Sequence, residues 1–125
     1  MTIMEALGRL DALRHNTFRQ EEKIRWLSQV DGLIFKELIS THEGGGDFQP
    51  YDDGTSLEQE LLVPAPYDEL YLHYLEAQMD YYQEEMDRYN RAMGMYQAVL
   101  TAYANDYNRT HMPKGQRFSY FGGAT

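Results

Sequence analysis

The stretch YDELYLHYLEAQMDYYQEEMDRYNRAMGMYQAVLTAYANDYN, residues 67–108, decides the fold. Within it Leu72, Leu75, Met79, Tyr82, Met86, Tyr89, Met93, Tyr96, Leu100, Tyr103 and Tyr107 follow one another in alternating steps of three and four. Such a row lies along one side of an α-helix and forms a heptad seam of the coiled-coil kind. A continuous helix over these residues would be roughly 60 Å long at 1.5 Å per residue. So long a rod would leave much of its seam uncovered in a small protein, so a break around Gln83 to Asp87, giving a helical hairpin, is the competing arrangement. Either way the class is all-α: a small helical bundle with one long C-terminal helix or helical hairpin.

Upstream of the seam, Pro64 and Pro66 stop whatever precedes them, and Pro66 suits the first position of a helix whose first turn holds Asp68 and Glu69. Glu60 to Val63 reads as a short strand or extended segment. Residues 41–59, with Gly44, Gly45, Gly46, Pro50 and Gly54 among acids, read as a long Gly-rich loop, and loops of that length are usually functional or disordered. Two helix starts carry capping boxes, Thr2 with Glu5 and Thr17 with Gln20. The first predicts a short amphipathic helix to about Arg14, with Ile3, Leu7, Leu10 and Leu13 on its apolar side. The second predicts a helix to about Ser40, where Ile24, Leu27, Val30, Ile34 and Leu38, widened by Trp26, Leu33, Phe35 and Ile39, need cover on several sides.

Downstream of Asn108 the period stops. Residues 1–108 are expected to form the helical domain and 109–125 an extended C-terminal arm, which holds Arg109, Met112, Lys114, Arg117, Phe118, Tyr120 and Phe121. At about 3.3 Å per extended residue it reaches some 50 Å, and its aromatics and cations suit docking on a partner.

The chain has 125 residues, one domain's worth, and a net charge of −9. Charge is segregated. No Lys or Arg lies between Lys36 and Arg88, a stretch holding 14 of the 20 acids, whereas Arg88 to Thr125 carries five cations against Asp106 alone. The overall acidity argues against coating nucleic acid, which needs cations at phosphates. The segregation is that of a solvated acidic face, or of a basic end that meets the acidic middle of a second copy and closes a ring. In the second case Arg88 and Arg91 face Glu69, Glu76 and Asp80 across the subunit interface, with Tyr82, Tyr89 and Tyr96 beside them. Nine of the eleven tyrosines fall between Tyr67 and Tyr107, where an apolar body with a polar tip suits surfaces half core and half contact.

The absence of cysteine excludes disulfides, thiolate zinc sites and thiol nucleophiles. The first residues lack a signal-peptide pattern and no apolar run approaches a bilayer's span, so neither secretion nor membrane insertion is expected. Glu69, His73, Glu76, Asp80, Glu84 and Asp87 share one face of the long helix, but a di-iron centre needs Glu-x-x-His pairs on two helices, and here Glu69 and His73 are four apart. Around Gly54 the calcium-loop pattern fails, with Gln49 in first place and Tyr51 in third. The three glycines Gly44 to Gly46 lack the context of a phosphate loop, and His15, His42, His73 and His111 stand singly. No cofactor and no enzymatic role is expected.

The segments KIRWLSQVD (23–31), LLVPAPYDELY (61–71), YYQEEMDRYN (81–90) and NRTHMPKGQRF (108–118) together resemble the small head–tail connector, or adaptor, proteins of tailed bacteriophages. The resemblance implies a helical virion protein of the neck, assembled in the bacterial host cytoplasm as a homo-oligomeric ring, commonly of twelve copies, beneath the portal. Such a ring extends the channel for double-stranded DNA, helps retain the packaged genome and carries a tail or stopper protein. It further implies that Asn108 to Phe121 face the portal, with the acidic block on subunit contacts or the channel wall. The rival expectation is a helical protein–protein interaction module that grips a partner through its Tyr/Met seam outside any virion.

Overall fold

A computed structural model describes residues 1–115, which fold into four α-helices: α1 (Ile3–Leu13), α2 (Gln20–Glu37), α3 (Leu70–Tyr82) and α4 (Met86–Thr110). Short 3₁₀ turns at Ile39–Thr41 and Tyr67–Glu69 follow α2 and precede α3. Of the arm, Arg117, Phe118, Tyr120 and Phe121 lie outside the described residues.

The Thr2 capping box forms as its sequence predicts, with Thr2 Oγ1 accepting the Glu5 amide at 3.1 Å and the Glu5 carboxylate accepting the Thr2 amide at 2.9 Å. These bonds hold the Glu5 carboxyl below its ordinary range. A helix start leaves further amides free, and here the returning loop takes them. Ile3 N–H donates to Gln59 O at 3.0 Å and Met4 N–H to Leu57 O at 2.9 Å. Glu60 is extended, as read, and pairs with Thr2 as an isolated bridge rather than as part of a strand.

The Thr17 capping box does not form. α2 starts at Gln20 behind Arg19, with no side chain capping it. Phe18 instead packs edge-on against Trp26 at 5.3 Å, and its amide donates to Asn16 Oδ1 at 3.2 Å. Burying that aromatic pair holds residues 17–19 out of the helix, and Glu21 and Glu22 in the first turn supply the favourable charge at its positive end.

The long seam is broken, and the hairpin is the arrangement adopted. Glu85 N–H donates to Asp80 O at 2.9 Å and Glu84 N–H to Tyr81 O at 3.2 Å, while Glu84 sits at φ 59. This is a Schellman stop with glutamate where glycine usually stands. The break turns the chain back, and α4 packs along the side of α3 that carries Tyr74 and Tyr81, with Tyr96 on Tyr74 at 5.2 Å and Tyr89 beside Tyr81 at 5.6 Å, while Tyr82 of the seam stacks on Trp26 of α2. With the break, Glu84 and Asp87 leave the polar face that Glu69, His73, Glu76 and Asp80 share on the α3 side.

α3 is the central helix. Leu70, Tyr71, Leu72, Tyr74, Leu75, Ala77 and Met79 are buried around its whole girth, covered by α1, α2 and α4. α2 needs less cover than its sequence suggests, since Leu33 is half exposed. α4 continues past α3, where Tyr103 packs on Tyr67 at 5.5 Å and Tyr107 on His42 at 5.0 Å. It runs two residues beyond the expected end. The chain then turns back on the segment after α2: Glu43 N–H donates to Met112 O at 2.8 Å and Lys114 N–H to Thr41 O at 2.9 Å, around an antiparallel bridge of His42 with Pro113.

Candidate functional site

Three features stand out on this scaffold: a buried carboxylate, a basic patch and an apolar groove. The carboxylate is Asp31, on the apolar side of α2 and 0% exposed. It accepts from Tyr51 Oη at 2.6 Å, Tyr71 Oη at 2.5 Å and the Leu62 amide at 3.1 Å. Tyr71 Oη in turn accepts the Val63 amide at 2.8 Å. Burial pushes the Asp31 carboxyl up against the opposing pull of these bonds, and it pushes both phenols well above their ordinary range. Both carboxylate oxygens are engaged by the protein itself, so Asp31 is a clamp joining α2, the loop and α3 rather than a reactive group. Sequence reasoning missed it, although an aspartate four residues after Leu27, inside an apolar row, is a readable signal.

The basic patch lies where α4 begins. Arg88 and Arg91 are exposed, take part in no ion pair among the described residues, and border a shallow depression with Arg14, His73, Glu76 and Asp80. Asp80 is 2% exposed, and its Oδ1 lies 2.6 Å from Arg14 Nη2, an ion pair whose N–H is not aimed along the hydrogen-bond direction. Glu69 pairs with Arg9 at 2.7 Å. Of the three acids expected to meet Arg88 and Arg91 of a neighbour, two are thus engaged within their own chain, and Glu76 is half-buried beside the same arginines. Acids open to solvent include Asp47, Asp52, Asp53 and Glu58 of the loop and Glu37, Glu84, Glu85 and Asp87 of the helices and the α3–α4 turn, while Glu60 is exposed but pairs with the N-terminal amine at 3.3 Å.

The tyrosines divide. Tyr96 is buried against Tyr74 at 5.2 Å, whereas Tyr82 is 60% exposed and stacks on Trp26 at 5.9 Å, with Tyr81, itself 51% exposed, edge-on beside it. Tyr89 is half-buried beside Tyr81 at 5.6 Å. The tip of the α3–α4 hairpin therefore presents aromatic rings beside the exposed Gln83, Glu84 and Glu85.

The groove runs between α2 and α4, whose Cα atoms stay more than 8 Å apart. Leu33, Ile34, Glu37 and Leu38 form one wall, Tyr89, Met93, Tyr96, Gln97, Leu100 and Ala104 the other, and Tyr74 and Gln78 of α3 the floor. It encloses about 650 Å³ and is closed at one end by Thr41, His42 and Asn108. There His42 Nδ1 faces Leu38 O at 2.7 Å and Nε2 faces Asn108 Oδ1 at 2.8 Å, tying α4 to the end of α2.

Of the arm, Arg109 pairs with Asp106 at 3.0 Å on α4, Met112 is 48% exposed, and Lys114 is held through its backbone. Among the described residues no group of three or more His, Asp or Glu side chains is placed to hold a metal ion, and no helix is long and apolar enough to cross a membrane. Comparison with protein-family models, with curated proteins and with solved structures finds no match to this chain.

Proposed function

We propose that the chain is a structural protein of a tailed-phage neck, an adaptor that assembles as a ring between the portal and the tail and performs no bond-making. The observation that carries this reading is where the resembling segments lie. Asp31, which ends the first, holds Leu62 and Tyr71 of the second, and Trp26 of the first stacks on Tyr82 of the third. The resemblance therefore rests on residues that hold the fold together rather than on interchangeable surface.

In this reading the exposed Arg88 and Arg91 meet the open acids of a neighbouring copy's loop, a charge complementarity that favours correct encounter. The remaining acids line the channel, where like charge keeps DNA from adhering as it slides. The arm beyond α4 attaches to the portal. The rival, a helical interaction module outside a virion, is favoured by one feature, the apolar groove between α2 and α4.

The deciding experiment mixes the purified protein with portal rings and follows size and electron-microscopic images. An adaptor adds a ring to the portal, and a chain cut after Gly115 adds it weakly. The cut belongs there because residues 111–114 are bonded to the chain's own body. A protein that ignores the portal at high concentration removes the adaptor reading.

A further inference from the structure

We infer that His42 and Asn108 form a two-position latch, in which a ring proton comes and goes while the tie between α4 and the end of α2 stays made. The His42 ring is 4% exposed, so each of its nitrogens must find a partner within the protein. Nδ1 lies 2.7 Å from Leu38 O, a carbonyl that can only accept, so this nitrogen carries a proton. The Thr41 hydroxyl, 3.0 Å from Nδ1, has no proton to offer it, because it donates to the same carbonyl at 2.6 Å. Nε2 lies 2.8 Å from a second acceptor, Asn108 Oδ1.

With the proton on Nδ1 fixed, a neutral ring has a bare Nε2, and two acceptors would face each other across that 2.8 Å. The orientation observed is therefore the one that serves the imidazolium, which donates to both oxygens. The neutral ring is served by the same residue turned over. A half-turn of the Asn108 amide places its NH2 where Oδ1 stood, and it then donates to Nε2. Asn108 is exposed, so whichever end of the amide points away from the ring is left to water. An amide holds donors and an acceptor in nearly the same place. A carboxylate there would serve the cation alone.

The ring's other close neighbour is Tyr107, edge-on at 5.0 Å, with His111 stacked on that phenol at 3.7 Å. The charged groups on the elements packed around His42 are Glu37 at the end of α2, Glu43 beside it in the chain, Lys114 on the returning segment, and Asp106 and Arg109 of α4, which pair with each other. The latch keeps the far end of α4, and the returning segment that bridges to His42 at Pro113, attached in either protonation state. It does not rest on the adaptor reading.

Nuclear magnetic resonance of the full chain labelled with 15N tests this between pH 5 and 8, the range in which histidine ordinarily changes charge. The ring signals of His42 are those missing from His42→Gln. Nδ1 is expected to stay protonated throughout, Nε2 to lose its proton as pH rises, and the Asn108 side-chain NH2 signals to shift in the same titration. The His111 amide, bonded to Tyr107 O at 3.0 Å, reports how firmly the end of α4 is held. Its exchange protection, corrected for the intrinsic rate, is expected to change by less than about twofold in the wild type. In Asn108→Asp, with folding checked by circular dichroism, it is expected to fall on the order of tenfold as the ring loses its proton. A neutral ring protonated at Nε2, Asn108 signals that stay still while the ring titrates, or a ring that keeps one protonation state over the whole range overturns the inference. Equal pH dependence of protection in wild type and Asn108→Asp overturns it too.

Discussion

The Tyr71 hydroxyl donates to Asp31 across 2.5 Å while accepting the Val63 amide at 2.8 Å, so one phenol oxygen links α2, the loop and α3. Replacing Tyr71 with Phe leaves a buried carboxylate oxygen and a buried amide without that partner. The cost is expected at about 1–3 kcal/mol, read from urea unfolding. Asp31→Ala, which strands two phenols and the Leu62 amide, is expected to cost more, about 3 kcal/mol or above. A loss below about 0.5 kcal/mol in either variant is what an ordinary surface change gives, and would show that the clamp contributes little.

Asp31 also sets a pH dependence. Its folded-state pKa is raised, because burial outweighs the three hydrogen bonds. The folded protein therefore holds this proton more tightly than the unfolded chain. The associated stability is fully present below the unfolded value, about 3.9, and is lost as pH rises through the raised one. The stability of Asp31→Asn is expected to vary less over that window. Equal slopes in wild type and variant would mean that Asp31 does not titrate there.

At high pH the tyrosines take over. Burial pushes Tyr96 and Tyr103 up to about 12, with neighbouring phenols adding to the shift. The unfolded chain releases such protons near 10, so stability is intact below that value and is lost as pH climbs through about 12. The double variant Tyr96→Phe/Tyr103→Phe is expected to unfold at higher pH than wild type, with neutral-pH stability within about 1 kcal/mol, since both rings stay packed. Phenolate absorbance and circular dichroism measured together check this, and coincident alkaline transitions in the two proteins would refute it.

Glu84 occupies the left-handed conformation at φ 59, which costs a side-chain-bearing residue about 1–2 kcal/mol. Glycine takes that conformation freely but loses more chain entropy on folding. Glu84→Gly is therefore expected to stabilise the protein by about 0.5–1 kcal/mol, and Glu84→Val to destabilise it. Melting temperatures that fall in both variants would contradict the stated role of the turn.

Arg88 and Arg91 are exposed and hold no ion pair among the described residues, so Arg88→Glu/Arg91→Glu is expected to keep stability within about 0.5 kcal/mol. Under the adaptor reading the same pair impairs self-assembly, scored by sedimentation. A normal ring from the double variant would remove the charge contact between copies.

What the sequence disclosed followed the range of the interactions involved. The Thr2 box and the three-four spacing are local patterns: the box forms as read, and the spacing marks the helices on both sides of the break. The stop at Gln83 to Glu85 was open between two arrangements, because a glutamate at the left-handed position sends none of the usual punctuation. Thr17 was outcompeted by the Phe18–Trp26 packing, a contact across eight residues that no capping rule contains. The loop hid more still. Its order comes from bonds such as Ile3 to Gln59 and Tyr51 to Asp31, which join residues far apart along the chain. The interface tyrosines and acids were chosen by residue type, and types do not reveal that Tyr96 packs on Tyr74 or Asp80 on Arg14.

α4 is gripped by α3 along one side and by Tyr67 and His42 near its far end, while α2 stands apart from it. Tyr67, His42 and the His42–Asn108 contact are the pins that set the rotation of α4, and the Asp31 clamp, which joins α2, the loop and α3, takes no part in holding it. A pull on α4 would therefore reach the rest of the molecule through α3 and these pins, leaving the clamp unloaded.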